Sequence, residues 1–125
     1  MHELSIAVSL IEMAAEEAER LGVRVEALHL RLGALSGVVR EALLFSFDLA
    51  AEGTAIAGAR LEIEDVPVVV YCPACSQERP LPGLQSFCCP VCGAPTPDVV
   101  RGRELELATL EVSAREEVKN ATPDR

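Results

Sequence analysis

From Leu4 to Leu21, apolar side chains recur at intervals of three and four, at Leu4, Ala7, Val8, Ile11, Ala14, Ala15, Ala18 and Leu21, while Glu12, Glu16, Glu17 and Glu19 take the other side. That spacing predicts an amphipathic helix that starts almost at the first residue and stops at Gly22. The period then shortens to two: Leu28, Leu30 and Leu32 alternate with Ala27, His29 and Arg31, which predicts a strand over 23–32 with one wetter face. On that face His29 reads most simply as a surface histidine. Gly33 and the Ala-Leu-Ser-Gly that follows break the strand. A second helix is expected to begin near Ser36 and run over 38–51, with Val39, Leu43, Phe47 and Ala50 on its buried stripe, Leu44 and Phe45 widening it and Gly53 beyond its end. Leu61, Ile63 and then Val66 to Tyr71 read as a second strand, and 103–112 as a third. Leu105 and Leu107 differ in parity from Leu110 and Val112, so the third strand should bulge or bend near Ala108 or Thr109.

The order helix, strand, helix, strand, lobe, strand predicts an α+β fold: two helices packed on one face of a three-stranded mixed sheet, with an inserted four-cysteine, zinc-ribbon-like lobe. Helix 38–51 would join strands 23–32 and 60–66 as a right-handed crossover. The expected domains are 1–66 plus 103–113 for the α/β part and 67–102 for the inserted lobe, with hinges at Pro67 and near Arg101 and Gly102. Residues 114–125 are polar and read as a disordered tail. At 125 residues the chain supports one small core plus a lobe too small to fold without a metal.

That lobe is inferred from Tyr71 to Gly93, YCPACSQERPLPGLQSFCCPVCG, where Cys72 and Cys75 form one C-x-x-C and Cys89 and Cys92 another, with thirteen residues between the pairs. Two residues between cysteines let a tight turn aim both sulfurs at one point with backbone N–H groups facing them, and two such turns supply the four ligands of a tetrahedral Zn²⁺. Pro73, Pro90 and Gly93 are turn residues in the places such turns need. Disulfides and ordinary buried thiols are the alternatives, and regular spacing without a secretory signal favours metal over both. Cys88 is a fifth thiol beside Cys89; it is either a spectator or an exchange partner for its neighbour. Neither C-x-x-C is followed by histidine, so the expected site is all-cysteine, closed, structural rather than catalytic, and without histidine-dependent ligand exchange.

Composition narrows the function classes. Aromatic residues make up 3 % of the chain and its net charge is −9. A zinc ribbon that binds nucleic acid needs a basic face and stacking platforms, and this chain has neither, so no nucleic-acid partner is expected. A redox enzyme built on the C-x-x-C pairs would need a free nucleophile, which two pairs converging on zinc do not leave; no enzyme activity is expected. No apolar run approaches a membrane span and the N-terminus lacks the pattern of a signal peptide, which predicts a cytoplasmic protein. A plain interaction adaptor stabilised by zinc would need nothing further.

The tripeptide Met1-His2-Glu3 adds one possibility. The α-amine, the amide nitrogen of residue 2 and the His2 imidazole can close small chelate rings around one metal, with the Glu3 amide as a further donor, and nitrogen donors in a plane suit Ni²⁺ or Cu²⁺. Read alone, His2 is equally a flexible terminal residue, and Glu3 a carboxylate placed favourably at a helix N-terminus.

The MHE start on an amphipathic helix, the G-x-x-S-x-V of Gly33, Ser36 and Val38, the L-x-F-x-F of Leu43, Phe45 and Phe47, and the paired C-x-x-C together resemble the HypA/HybF nickel metallochaperones of [NiFe]-hydrogenase maturation, from Met1 to about Val112. The resemblance implies that Met1, His2 and Glu3 hold Ni²⁺ as cargo and that Cys72, Cys75, Cys89 and Cys92 hold a structural Zn²⁺. It further implies delivery to the hydrogenase large subunit with the GTPase HypB, service to urease in some bacteria, and a monomer or weak homodimer.

Overall fold

The computed structural model describes residues 2–84 and 86–114. The elements in chain order are α1 (Glu3–Leu21), β1 (Val23–Gly33), α2 (Arg40–Ala51), β2 (Arg60–Val66), β3 (Val69–Cys72), β4 (Gln77–Pro80), β5 (Asp98–Arg101) and β6 (Leu105–Ala114). They make two three-stranded sheets, ordered β2-β1-β6 and β4-β3-β5. The α+β class is therefore as expected, with a second sheet inside the cysteine lobe that periodicity did not announce. The chain divides into two compact units, one of Met1–Leu30, Val38–Glu62 and Leu107–Arg125, the other of Arg31–Gly37 and Ile63–Glu106.

In the first unit α1 packs against α2. Gly22 ends α1 in the left-handed region, φ 69°, and its N–H bonds back to the carbonyls of Ala18 and Glu19. The buried stripe of α1 is Glu3, Ala7, Leu10, Ile11, Ala14 and Ala18, whereas Leu4, Val8 and Leu21 are exposed. Spacing of three and four is compatible with two adjacent stripes, and the one containing Leu10 is used. On α2, Leu43, Phe47 and Ala51 are buried, while Val39 and Phe45 face solvent. With Leu28, Leu30 and Ile56 they form an aliphatic core that needs one aromatic ring.

Helix α2 begins at Arg40 behind Val39, later than Ser36 suggested. The Ser36 N–H instead bonds the Gly33 carbonyl in a turn. The Glu3 carboxylate does what Ser36 was expected to do, accepting the Val39 N–H at 3.0 Å.

In the second unit the expected single run from Val66 to Tyr71 is two strands in different sheets. Pro67 has no N–H to give a ladder, and the chain breaks over Pro67 and Val68 before β3. Strand β3 pairs antiparallel with both β4 and β5. Val68, Val70 and Leu81 form its small core, with Leu35, Phe87 and Val99 packed against them. Beside it three backbone segments lie in close contact: the N–H groups of Gly33, Ala34 and Leu35 donate to the carbonyls of Glu104, Val66 and Gly102 at 2.7, 3.0 and 2.6 Å. A Cβ on Gly33 would stand 2.2 Å from the Gly102 carbonyl oxygen, so only glycine fits there.

The partly buried positions of β6 are Leu107, Leu110 and Ser113, so parity changes between Leu107 and Leu110, where a bend was expected. The strand continues through Ala114, beyond the expected end at 112. The remainder of the proposed tail lies outside the described residues, as does Met1.

Candidate metal centre

Strand β3 ends at Cys72, and the chain turns at once through Pro73 and Ala74 to Cys75. The Cys75 N–H points back at the Cys72 Sγ, 3.3 Å away. The second turn repeats the geometry: the N–H groups of Val91 and Cys92 each lie 3.4 Å from the Cys89 Sγ. Both turns close on a residue in the left-handed region, Ser76 at φ 55° and Gly93 at φ 81°. Two short C-x-x-C turns thus present sulfurs already facing N–H donors, which is why two intervening residues suffice.

All five cysteines are free thiols. The Sγ atoms of Cys72, Cys75, Cys89 and Cys92 lie within 4.8 Å of one another, with Cys72–Cys92 at 3.5 Å and Cys75–Cys89 at 3.9 Å. A tetrahedral ion with metal–sulfur bonds of about 2.3 Å requires sulfurs about 3.8 Å apart, and these two separations stand close to that value, so the four could hold one divalent cation. Cys88, exposed, stands outside this group and its sulfur accepts the Ser86 hydroxyl at 3.4 Å.

Without a cation such a cluster cannot ionise evenly. Burial raises the Cys89 thiol, yet the N–H groups of Cys92 and Val91 and the neighbouring sulfurs outweigh it and bring it down to about 6. Cys92 is lowered by the Ala94 backbone, but the Cys72 and Cys75 sulfurs, together with burial, push it up to about 12. One thiolate is accommodated by donors and the next is refused by its neighbours, the electrostatic signature of a site made for a positive ion.

At the N-terminus the structure places His2 and Glu3 differently. His2 is exposed, its side chain makes no capping bond to α1, and its carbonyl accepts the Ile6 N–H at 2.9 Å. Glu3 is buried, and hydrogen bonds to its charged form, that from Val39 among them, hold its carboxyl at about 2. Its side chain is therefore committed inward, toward α2. His29 is paired with Glu111 at 2.7 Å on the outer face of β1, away from any cluster of metal-binding side chains among the described residues. Arg79 escaped the sequence reading altogether. The register of β4 on β3 puts it on the face that carries Cys72, and no local sequence signal marks it.

An α+β chain that gathers four cysteine sulfurs at one point has the form of a small protein with a site that could hold a metal ion. A family model described as "Hydrogenase/urease nickel incorporation, metallochaperone, hypA" matches residues 1–112. The chain is 59 % identical over 112 residues to the hydrogenase maturation factor HypA of Roseiflexus sp. (strain RS-1), covering 89 % of this chain and 91 % of that one. It is 49 % identical over 110 residues to the hydrogenase maturation factor HypA of Deinococcus radiodurans, covering 86 % and 89 %. Among solved structures, that of a HypA protein in solution superposes with a TM-score of 0.69 at 26 % identity, covering 92 % of this chain and 98 % of that one. The solution structure of the Ni metallochaperone HypA from Helicobacter pylori gives 0.62 at 26 % identity, covering 92 % and 100 %. The chain belongs to the HypA family, whose members are maturation factors and not catalysts. No described helix is long and apolar enough to cross a membrane.

Proposed function

We propose that this protein is a nickel metallochaperone that takes up Ni²⁺ at Met1, His2 and Glu3 and hands it on for maturation of [NiFe]-hydrogenase, with Zn²⁺ held by Cys72, Cys75, Cys89 and Cys92 as a resident structural ion. The observation that carries this reading is the match of the nickel-incorporation family over residues 1–112, which includes both the MHE start and all four cysteines. Two features of the chain support it. His2 is exposed with its side chain uncommitted to the helix, so its imidazole is available to an incoming ion. Glu3 is fixed by its carboxylate to the start of α2, which anchors the inner end of the tripeptide.

A carrier has to release its cargo. A site made largely of backbone nitrogens at a chain end can be peeled away donor by donor when an acceptor captures the metal, whereas a closed cage of four thiolates cannot. The zinc lobe, 67–102, then acts as a docking or signalling arm, and delivery is to the hydrogenase large subunit together with the GTPase HypB, in the cytoplasm, with urease as a further client.

The test is a nickel titration of zinc-loaded protein with its authentic, unextended N-terminus, beside His2→Ala. Stoichiometric binding with a planar-type absorption band, lost in the variant, is expected. Equal binding by both proteins, or none by either, would reduce the chain to a zinc-stabilised interaction adaptor.

A further inference from the structure

Four thiolates around a divalent cation leave an uncompensated negative charge, which on the buried side of the site, at Cys72 and Cys89, is relieved by a positive group standing near. The pairing of β4 with β3 sets Gln77 opposite Cys72 and Arg79 opposite Val70. Cross-strand partners project to the same face, so Arg79 stands on the face of the sheet that carries the Cys72 sulfur. Its Nη1 donates to the Gln77 Oε1 at 3.1 Å, which leans the guanidinium along the strand toward the knuckles. Its Nε is buried and has no hydrogen-bond partner, an uncommon state for a donor carrying positive charge. The other arginine of this sheet placed by an ion pair, Arg101, is bound to Glu78 at 2.8 Å.

We propose that Arg79 is the charge-compensating residue of the metal centre: its guanidinium faces the sulfurs of Cys75 and Cys89, offsets part of the negative charge of the filled site, and slows loss of the ion. The inference rests on the zinc reading of the four cysteines. Consistent with it, interaction with the Cys75 sulfur and then with that of Cys89 raises the Arg79 pKa. Arginine suits the position better than lysine, because its planar fork can address two sulfurs at once and it stays charged in contact with thiolates. Arg79 is thus a positioning residue. It does not touch the ion, and it acts by making the sulfurs poorer targets for protons and competing electrophiles.

The experiment measures zinc content and the rate of zinc transfer to a chromophoric chelator for the full-length protein and for Arg79→Gln, Arg79→Lys and Gln77→Glu. Expected are one zinc per chain in all four, release about 10-fold faster in R79Q, and R79K within about 3-fold of wild type because the charge is kept while the fork is lost. Q77E changes an exposed side chain and serves where R79Q proves unstable. Its new carboxylate would accept from the same Nη1 and neutralise the guanidinium beside the sulfurs, and should quicken release severalfold. Release by R79Q and Q77E at the wild-type rate overturns the role of Arg79 while leaving the zinc centre standing, and so does R79K releasing as fast as R79Q, which would mark a packing role only. Wild-type protein that carries no zinc overturns both readings together.

Discussion

The two compact units reach order by different routes. The first has Phe47, Leu28, Leu30, Leu43 and Ile56 essentially inaccessible to solvent, enough apolar volume to hold two helices without help. The second keeps a core of Val68, Val70 and Leu81 over strands of four residues, and it carries the cysteine cluster, in which Cys72 and Cys89 are buried. In the first, local periodicity and burial agree, so stability is spread over many contacts. In the second, with zinc bound as proposed, it would be concentrated in one site, as expected of a segment with too little apolar surface to outweigh its chain entropy. Under the proposed function the same division suits a carrier, since the structural ion and the delivered ion would not share ligands.

That contrast can be broken most directly at the metal. Removing zinc with a chelator, or replacing Cys89 with Ala, should unfold the second unit, because binding free energy on the order of 10 kcal/mol is folding free energy in such a lobe. Amide exchange should then show lost protection at β3, β4 and β5 with α1 and α2 still protected. Loss of protection everywhere would mean that the units do not fold independently. The mirror experiment is Phe47→Ala, which should cost about 3–5 kcal/mol by opening a cavity in the first unit. Its thermal midpoint should fall while zinc content stays unchanged, and concurrent zinc loss would sink the distinction.

A smaller effect is expected in the opposite direction at Ser76, the one described non-glycine residue at positive φ, where the second knuckle uses Gly93. Ser76→Gly should stabilise the zinc lobe by about 1 kcal/mol, read as a higher chelator concentration for half-unfolding, since glycine occupies that conformation without strain. A neutral or destabilising result would show that the serine conformation is held by something other than the turn. The mildest effect is a pH profile. The Glu3 carboxyl is lowered from 4.5 to about 2, so its contribution is fully present above its unfolded value and is lost as pH falls through about 2. Helix stability of wild type and Glu3→Gln, followed by circular dichroism, should therefore converge between those two values. A constant difference through that window would show that Glu3 acts by shape and not by charge.

Much of this was legible beforehand because the signals are local. The period of α1, its stop at Gly22, the alternation of β1 and the two C-x-x-C turns each depend on residues within a few positions of one another, and each appears in the structure where spacing puts it. That one of Cys88 and Cys89 must point away is likewise a local fact, while the fold decides that it is Cys88 that stands outside the cluster. What the chain order could not reveal concerns choices among surfaces of equal local merit. Leu10 rather than Leu4 and Val8 faces inward, and Phe45 is left outside, because the neighbour of each helix decides which of two adjacent apolar stripes is covered. Ser36 is as good a helix cap by composition as any, yet Glu3, thirty-six residues distant along the chain, holds the Val39 N–H. Arg79 acquires meaning only through the register that lays β4 on β3. Turns, periods and chelating pairs are written in short-range stereochemistry; caps supplied from elsewhere, the covered face of a helix and the charge beside a metal come from which segments the folded chain brings together.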